Sequence, residues 1–250
     1  MPPTAPDSTP KAPSLWEPIT SLRRVPIVDN GEPLVNFLDV CPDLLVDRPR
    51  FQYQRIPFAR RSVAEMLCKA DAALRSQGFR LAVVEVWRPP HIQRRMYLAS
   101  WNWWKERHPD WSDTQMRRVV NRFTAPISDR RVPPPHTTGG AVDLLLADGM
   151  TGEPLDHSSP FDTYDPVNFP FAASGLSETA LRHRRILAEA LLPTGLTNYP
   201  SEYWHWSYGD QGWAYRGRHA NALYGPTAPG GFVPSPEEVI DAPLERLPDP

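Results

Sequence analysis

The stretch Pro133-Pro-Pro-His136-Thr-Thr-Gly139-Gly-Ala141-Val-Asp143-Leu-Leu-Leu146 leaves this chain few ways to fold. Its three prolines hold the approach to His136 extended at little entropic cost. Gly139 and Gly140 let the backbone turn sharply or pass close to something bulky. Ala141 to Leu146 then reads as a buried strand, which fixes Asp143 on a rigid element. An imidazole and a carboxylate displayed this way have the look of two metal ligands in want of a third. By themselves they read more simply as a loop histidine and a capping aspartate, because short motifs are often matched by chance.

Around that strand the other elements are few. Val63, Met66, Leu67, Ala70 and Leu74 share one helical stripe, which Gly78 closes. Phe79 to Trp87 reads as a valine-rich strand. Pro89 suits the first turn of a second helix carrying Ile92, Met96 and Trp104. Ser112 or Asp113 can cap a third helix through Arg122. A polar loop from Ala147 to about Ala173 precedes a helix capped by Ser177 and ended by Pro193 and Gly195. Tyr203 to Tyr208 is aromatic and strand-like. Residues 16 to 55 read as irregular structure with one or two short strands. The 31 prolines, many near the ends, favour long ordered loops and loose termini over a helical bundle. The expected class is α+β, a small, mainly antiparallel sheet with packed helices and long loops. The expected organisation is a disordered segment 1–15, a single domain 16–225 and a proline-rich tail 226–250.

A net charge of −2, with 22% charged residues, creates no field that would recruit nucleic acid or an anionic membrane. Trp101, Trp103, Trp104 and Trp111 read as an aromatic satellite core, since no basic groove accompanies them. Cys41 and Cys68 make no disulfide framework, and Cys68, on the apolar face of the first helix, is expected to be a buried thiol. The N-terminal residues have neither the basic nor the apolar region of a secretory signal, and no run is long enough to span a bilayer. A cytoplasmic protein is the expectation.

The third ligand candidate is His205, in Ser201-Glu202-Tyr203-Trp204-His205. With His136 and Asp143 it completes three protein ligands and leaves a fourth position open, the arrangement of catalytic rather than structural zinc. Magnesium or calcium would want more carboxylates. Glu202 is the natural general base for water activated at such a metal. Residues three apart point to opposite faces of a strand, so Glu202 has to sit in a turn ahead of it. Arg88, at a strand end and pinned by Pro89, can supply fixed positive charge to an oxyanion.

Taken in order, Trp87-Arg88-Pro89, His136-Thr-Thr-Gly139-Gly-Ala141-Val-Asp143, Phe161-Asp162 and Asn198-Tyr-Pro-Ser-Glu202-Tyr-Trp-His205-Trp-Ser-Tyr-Gly209 resemble the D-alanyl-D-alanine dipeptidase (VanX-type) family of zinc D,D-metallopeptidases. The resemblance spans about Phe51 to Tyr215 and implies the hedgehog/D,D-peptidase fold. It implies one zinc held by His136, Asp143 and His205, Glu202 as base and then acid, and Arg88 as stabiliser of the intermediate. Asp162 matches the position of an acid near the substrate's free ammonium. One departure is Pro134, where the family usually has a serine in the substrate wall. Proline offers neither hydroxyl nor N–H, so hydrogen bonding to one end of the substrate must be replaced.

The function so implied is hydrolysis of D-alanyl-D-alanine to two D-alanines. A D,D-carboxypeptidase or endopeptidase acting on peptidoglycan stems is the nearest alternative, and a zinc-containing binding domain like that of hedgehog proteins is the third. The binding role would require neither Glu202 nor Arg88. No Gly-x-Ser-x-Gly elbow, phosphate loop, His-Glu-x-x-His or dinucleotide fingerprint is present.

Overall fold

The computed structural model describes residues 16–157 and 169–247. The first part is made of short pieces: α1 (Ile19–Leu22), β1 (Leu34–Asn36), α2 (Phe37–Val40) and β2 (Leu45–Val46). β3 (Phe58–Arg60) pairs antiparallel with β1 and leads directly into α3 (Arg61–Arg75). Val63, Leu67, Ala70 and Leu74 of α3 are buried, and Gly78 takes φ +82° just beyond it, where a Cβ would be strained. β4 (Phe79–Glu85) follows, then α4 (Pro90–Arg107), with Pro90 in its first turn. α5 (Asp113–Phe123) opens on a reciprocal capping box between Ser112 and Gln115.

The chain continues through β5 (Ala141–Asp148), α6 (Glu178–Leu191), β6 (Thr197–Asn198), β7 (His205–Ser207) and α7 (Gln211–Gly217). The main sheet has the order β2-β4-β5-β7-β6 and is antiparallel except where β2 runs parallel to β4. The expected α+β class holds. Cys41 is the buried thiol, whereas Cys68 is half-buried. Trp104 stacks on Trp111 and Phe123, as a satellite aromatic core would.

One face of the sheet carries Leu81, Val83, Val142, Leu144, Leu146 and Trp206, packed against Val63, Leu67 and Leu74 of α3 and Leu187 and Leu191 of α6. Each such side chain contributes roughly 1.5–3 kcal/mol on burial. The opposite face carries Ala82, Leu145 and Ala147. Asp143, lying between Val142 and Leu144, points to this second face.

β4 reaches the same face by an irregularity. Val83 pairs with Leu144, yet Glu85 rather than Val84 pairs with Asp143. Strict alternation from Val83 would aim Glu85 into the core. The extra residue, Val84, forms a bulge that turns Glu85 outward, and Val86 then takes the core position. The strand expected to reach Trp87 therefore ends at Glu85. Trp87 and Arg88 give their amides to the carbonyls of Phe58 and His136, away from the β4–β5 ladder.

Candidate active site

Glu85, Asp143 and His205 form a row across three neighbouring strands, because β5 pairs Asp143 with both of the others. His136 comes from a single 3-10 turn, Pro135–Thr138, that ends in Gly139 at φ +71°. Gly140 is needed for close approach: a Cβ there would lie 2.5 Å from the Tyr208 carbonyl oxygen. Pro134 opens the turn, and its carbonyl accepts from the Thr137 amide (3.0 Å) and hydroxyl (2.7 Å).

His136 Nε2 lies 3.3 Å from Asp143 Oδ2, and His205 Nδ1 lies 3.0 Å from Asp143 Oδ1. Nδ1 of His136 is 2.7 Å from the Val86 carbonyl, to which it donates, so Nε2 keeps its lone pair for the cluster. The three ligand atoms fall within 4.8 Å of one another. Two imidazole nitrogens and one carboxylate oxygen, converging in a buried pocket, can hold a metal ion. Burial works to raise the Asp143 carboxyl, but His136 and His205 hold it below the usual carboxylate range. Burial draws the His205 imidazole down against the opposing pull of Asp143, favouring the neutral, ligating form.

Glu202 sits in the turn before β7: its amide donates to the Tyr199 carbonyl, and its carbonyl accepts from the His205 amide. This is the geometry that its spacing from His205 required. The Asn198 side chain clamps the turn, donating to the carbonyls of Glu202 (2.9 Å) and His205 (3.0 Å). Burial raises the Glu202 carboxyl well above its ordinary value; Asp143 adds to the rise and Arg88 opposes it.

Arg88 is buried on the same side. Its Nη1 donates to Gln93 Oε1 at 2.7 Å, its Nη2 donates to Glu85 Oε2, and Nη2 lies 3.7 Å from Asp143 Oδ2. Nε has no hydrogen-bond partner among the described residues. His136, Asp143, His205, Glu202 and Arg88 together line one cleft of about 640 Å³. Asp162 lies outside the described residues.

Three contributors escaped the sequence reading. Glu85 takes the Arg88 guanidinium and the Tyr53 hydroxyl on its two oxygens, and Gln93 ties Arg88 to the Ala125 carbonyl through its own amide. A signal for Glu85 existed: it is the single acid in an otherwise apolar strand end, three residues before Arg88.

A match to the family described as D-ala-D-ala dipeptidase, peptidase family M15, runs over residues 40–223. The chain belongs to this family, and it is a peptidase of the metallopeptidase class. The D-alanyl-D-alanine dipeptidase of Synechocystis sp. is 27% identical over 240 residues, covering 83% of this chain and 97% of the relative. That of Enterococcus faecium is 30% identical over 154 residues, covering 60% and 72%. Among solved structures, the VanY D,D-pentapeptidase in complex with Zn(II) aligns at a TM-score of 0.42 and 15% identity, over 80% of this chain and 96% of that one.

Proposed function

We propose that this peptidase is a zinc-dependent D,D-dipeptidase that hydrolyses D-alanyl-D-alanine to two D-alanines. The observation that carries the reading is the convergence of His136 Nε2 and His205 Nδ1 on the Asp143 carboxylate beside Glu202 and Arg88. The substrate comes from the family and from the names of the relatives. A nitrogen-rich set of three ligands fits zinc with an open position better than it fits magnesium or calcium. Zinc held there supplies Lewis-acid polarisation of the scissile carbonyl and acidifies water to a pKa of about 7.

The remaining work falls to side chains. Glu202 accepts a proton from the attacking water on its carboxylate and returns it to the leaving amine nitrogen, a shuttle favoured by a raised carboxyl pKa. Arg88, with both Nη atoms engaged and its Nε–H uncommitted among the described residues, supplies a fixed positive charge to the oxyanion. Asp162 is proposed as the partner of the substrate ammonium. The proposal further includes one zinc per chain, a peptidase unit at 16–225 with segments 1–15 and 226–250 at its ends, the second of which packs back on the unit through the buried Leu244, and a cytoplasmic location. Among the described residues no helix is long and apolar enough to cross a membrane.

The test is release of D-alanine by zinc-loaded protein. D-Ala-D-Ala should be cleaved while the L,L isomer and D-Ala-D-lactate are poor substrates; comparable rates on all three would remove the dipeptide specificity. Equal hydrolysis of N-acetyl-D-Ala-D-Ala would move the assignment to a D,D-carboxypeptidase. Zinc binding without hydrolysis of any D,D-peptide would leave a binding domain.

A further inference from the structure

Arg88 is held by groups that are themselves held from far along the chain. Its Glu85 partner has two carboxylate oxygens: Oε2 takes Arg88 Nη2, and Oε1 takes the hydroxyl of Tyr53. Tyr53 belongs to no regular element. The segment around it is fixed from two sides. On one side, Arg55 donates to the carbonyl of Val84, the bulge residue, and to the carbonyl of Asp47. On the other, residues 50–52 pair antiparallel with the C-terminal segment. Phe51 bridges Arg246, the Gln52 amide donates to the Glu245 carbonyl (2.9 Å), and the Leu247 amide donates to the Arg50 carbonyl (3.0 Å).

That C-terminal segment is anchored in turn on α4. The Leu244 amide donates to the Arg95 carbonyl (3.2 Å), Arg95 Nε donates to the Ala242 carbonyl (3.1 Å), and the Leu244 side chain is buried. A continuous chain of contacts therefore runs from Leu244 to the guanidinium. It passes from Leu244 to the pairing at Phe51 and Gln52, then to Tyr53, Glu85 and Arg88.

We propose that residues 241–247 serve catalysis as a positioning element: they hold Tyr53 on Glu85, and Glu85 so held fixes Arg88. Without the Tyr53 hydroxyl, one oxygen of a buried carboxylate loses its donor. Glu85 then keeps only its contact with Arg88, and the pair can shift about the remaining tie of Arg88 to Gln93. The inference rests on the reading that Arg88 acts on the transition state.

Four full-length variants test it: Tyr53→Phe, Leu244→Asp, the two combined, and Arg88→Lys. Tyr53→Phe should lower kcat on the order of tenfold, the worth of one charge-assisted hydrogen bond, with KM little changed and bound zinc stoichiometric. Leu244→Asp should expel the segment. Amide exchange at Gln52 and Leu247 should then lose protection, and kcat should fall to the Tyr53→Phe level. The double variant should be no slower than the worse single one, since both changes cut the same connection. Multiplicative losses in the double variant, or unchanged kcat in Leu244→Asp despite lost protection, would overturn the connection. A raised KM with kcat kept would make Tyr53 part of the substrate wall and also overturn it. Arg88→Lys separates the two levels of the argument. If it leaves kcat intact, the role of Arg88 fails and this inference with it; if it is slow while Tyr53→Phe is fast, this inference alone fails.

Discussion

Glu85 and Asp143 stand directly opposite each other on β4 and β5, two carboxylates on one face of a sheet with Arg88 Nη2 between them. Like charges in that position repel unless a cation is shared. Arg88→Ala should therefore have two separable effects. Leaving the buried Glu85 carboxylate unpaired should cost roughly 3–5 kcal/mol of stability. Loss of the proposed oxyanion partner should lower kcat by about 10²–10³. Arg88→Lys restores a charge but cannot reach both Glu85 and Gln93, so it should recover stability more than rate. Thermal melts beside D-alanine release check this; parallel recovery of both would merge the two roles.

Glu202→Gln keeps the shape of the turn side chain and removes the proton acceptor. Turnover should fall by about 10²–10⁴ while metal content stays stoichiometric. Metal analysis of the purified variant beside its kcat decides the matter, and loss of zinc would make Glu202 part of the metal shell.

His136→Ala removes the proposed ligand whose Nδ1 is tied to the Val86 carbonyl, and Asp143→Asn removes the charge on which both imidazoles converge. Both should lose bound zinc and activity together. Retention of full zinc by either would relocate the metal.

Acid should weaken the fold through His157. Its Nε2 accepts the Leu146 amide at 3.0 Å, and burial pushes the imidazole from 6.5 down to about 3. The unfolded chain takes up this proton near pH 6.5 and the folded one only near pH 3. The contribution is therefore whole above about pH 6.5 and drains as pH falls toward 3, at most about 1.4 kcal/mol per pH unit. His157→Gln retains an acceptor for Leu146, so its melting temperature should decline less steeply over that range. Identical slopes for the two proteins would clear His157 of the effect.

Gly140→Ala brings a Cβ to 2.5 Å from the Tyr208 carbonyl and 2.9 Å from the Tyr224 ring. Backbone on one side and a buried ring on the other leave little room to relax, so the change should cost about 1–3 kcal/mol. Because Gly140 follows the turn that carries His136, weakened zinc affinity should accompany the lowered melting point; an unaltered affinity would show that the turn tolerates the shift.

What the chain disclosed in advance was what its chemistry settles locally. Ser112 and Ser177 announce helix starts because their hydroxyls accept nearby amides. His136, Asp143 and His205 stood out because few residue types bind metals, and Glu202 because a carboxylate three residues before His205 suits a base for metal-activated water, on the condition that it lies in a turn. Glu85 was hidden for a geometric reason: its face depends on a bulge that no residue in Phe79–Glu85 marks, and simple alternation assigns it to the core. Tyr53 was hidden because its partner lies 32 residues away and its own segment carries no periodic pattern.

The bulge at Val84 also makes the pairing of this strand, and not its composition alone, part of the enzyme's chemistry. If β4 ran straight past Val84, every functional group would be kept, yet Glu85 would swing among the leucines and the guanidinium would be left facing Asp143 without its counterweight. Loss of Val84 itself would be milder, because Glu85 would then follow Val83 in regular alternation and still stand opposite Asp143. The same letters thus spell a working or an empty site according to where the ladder slips.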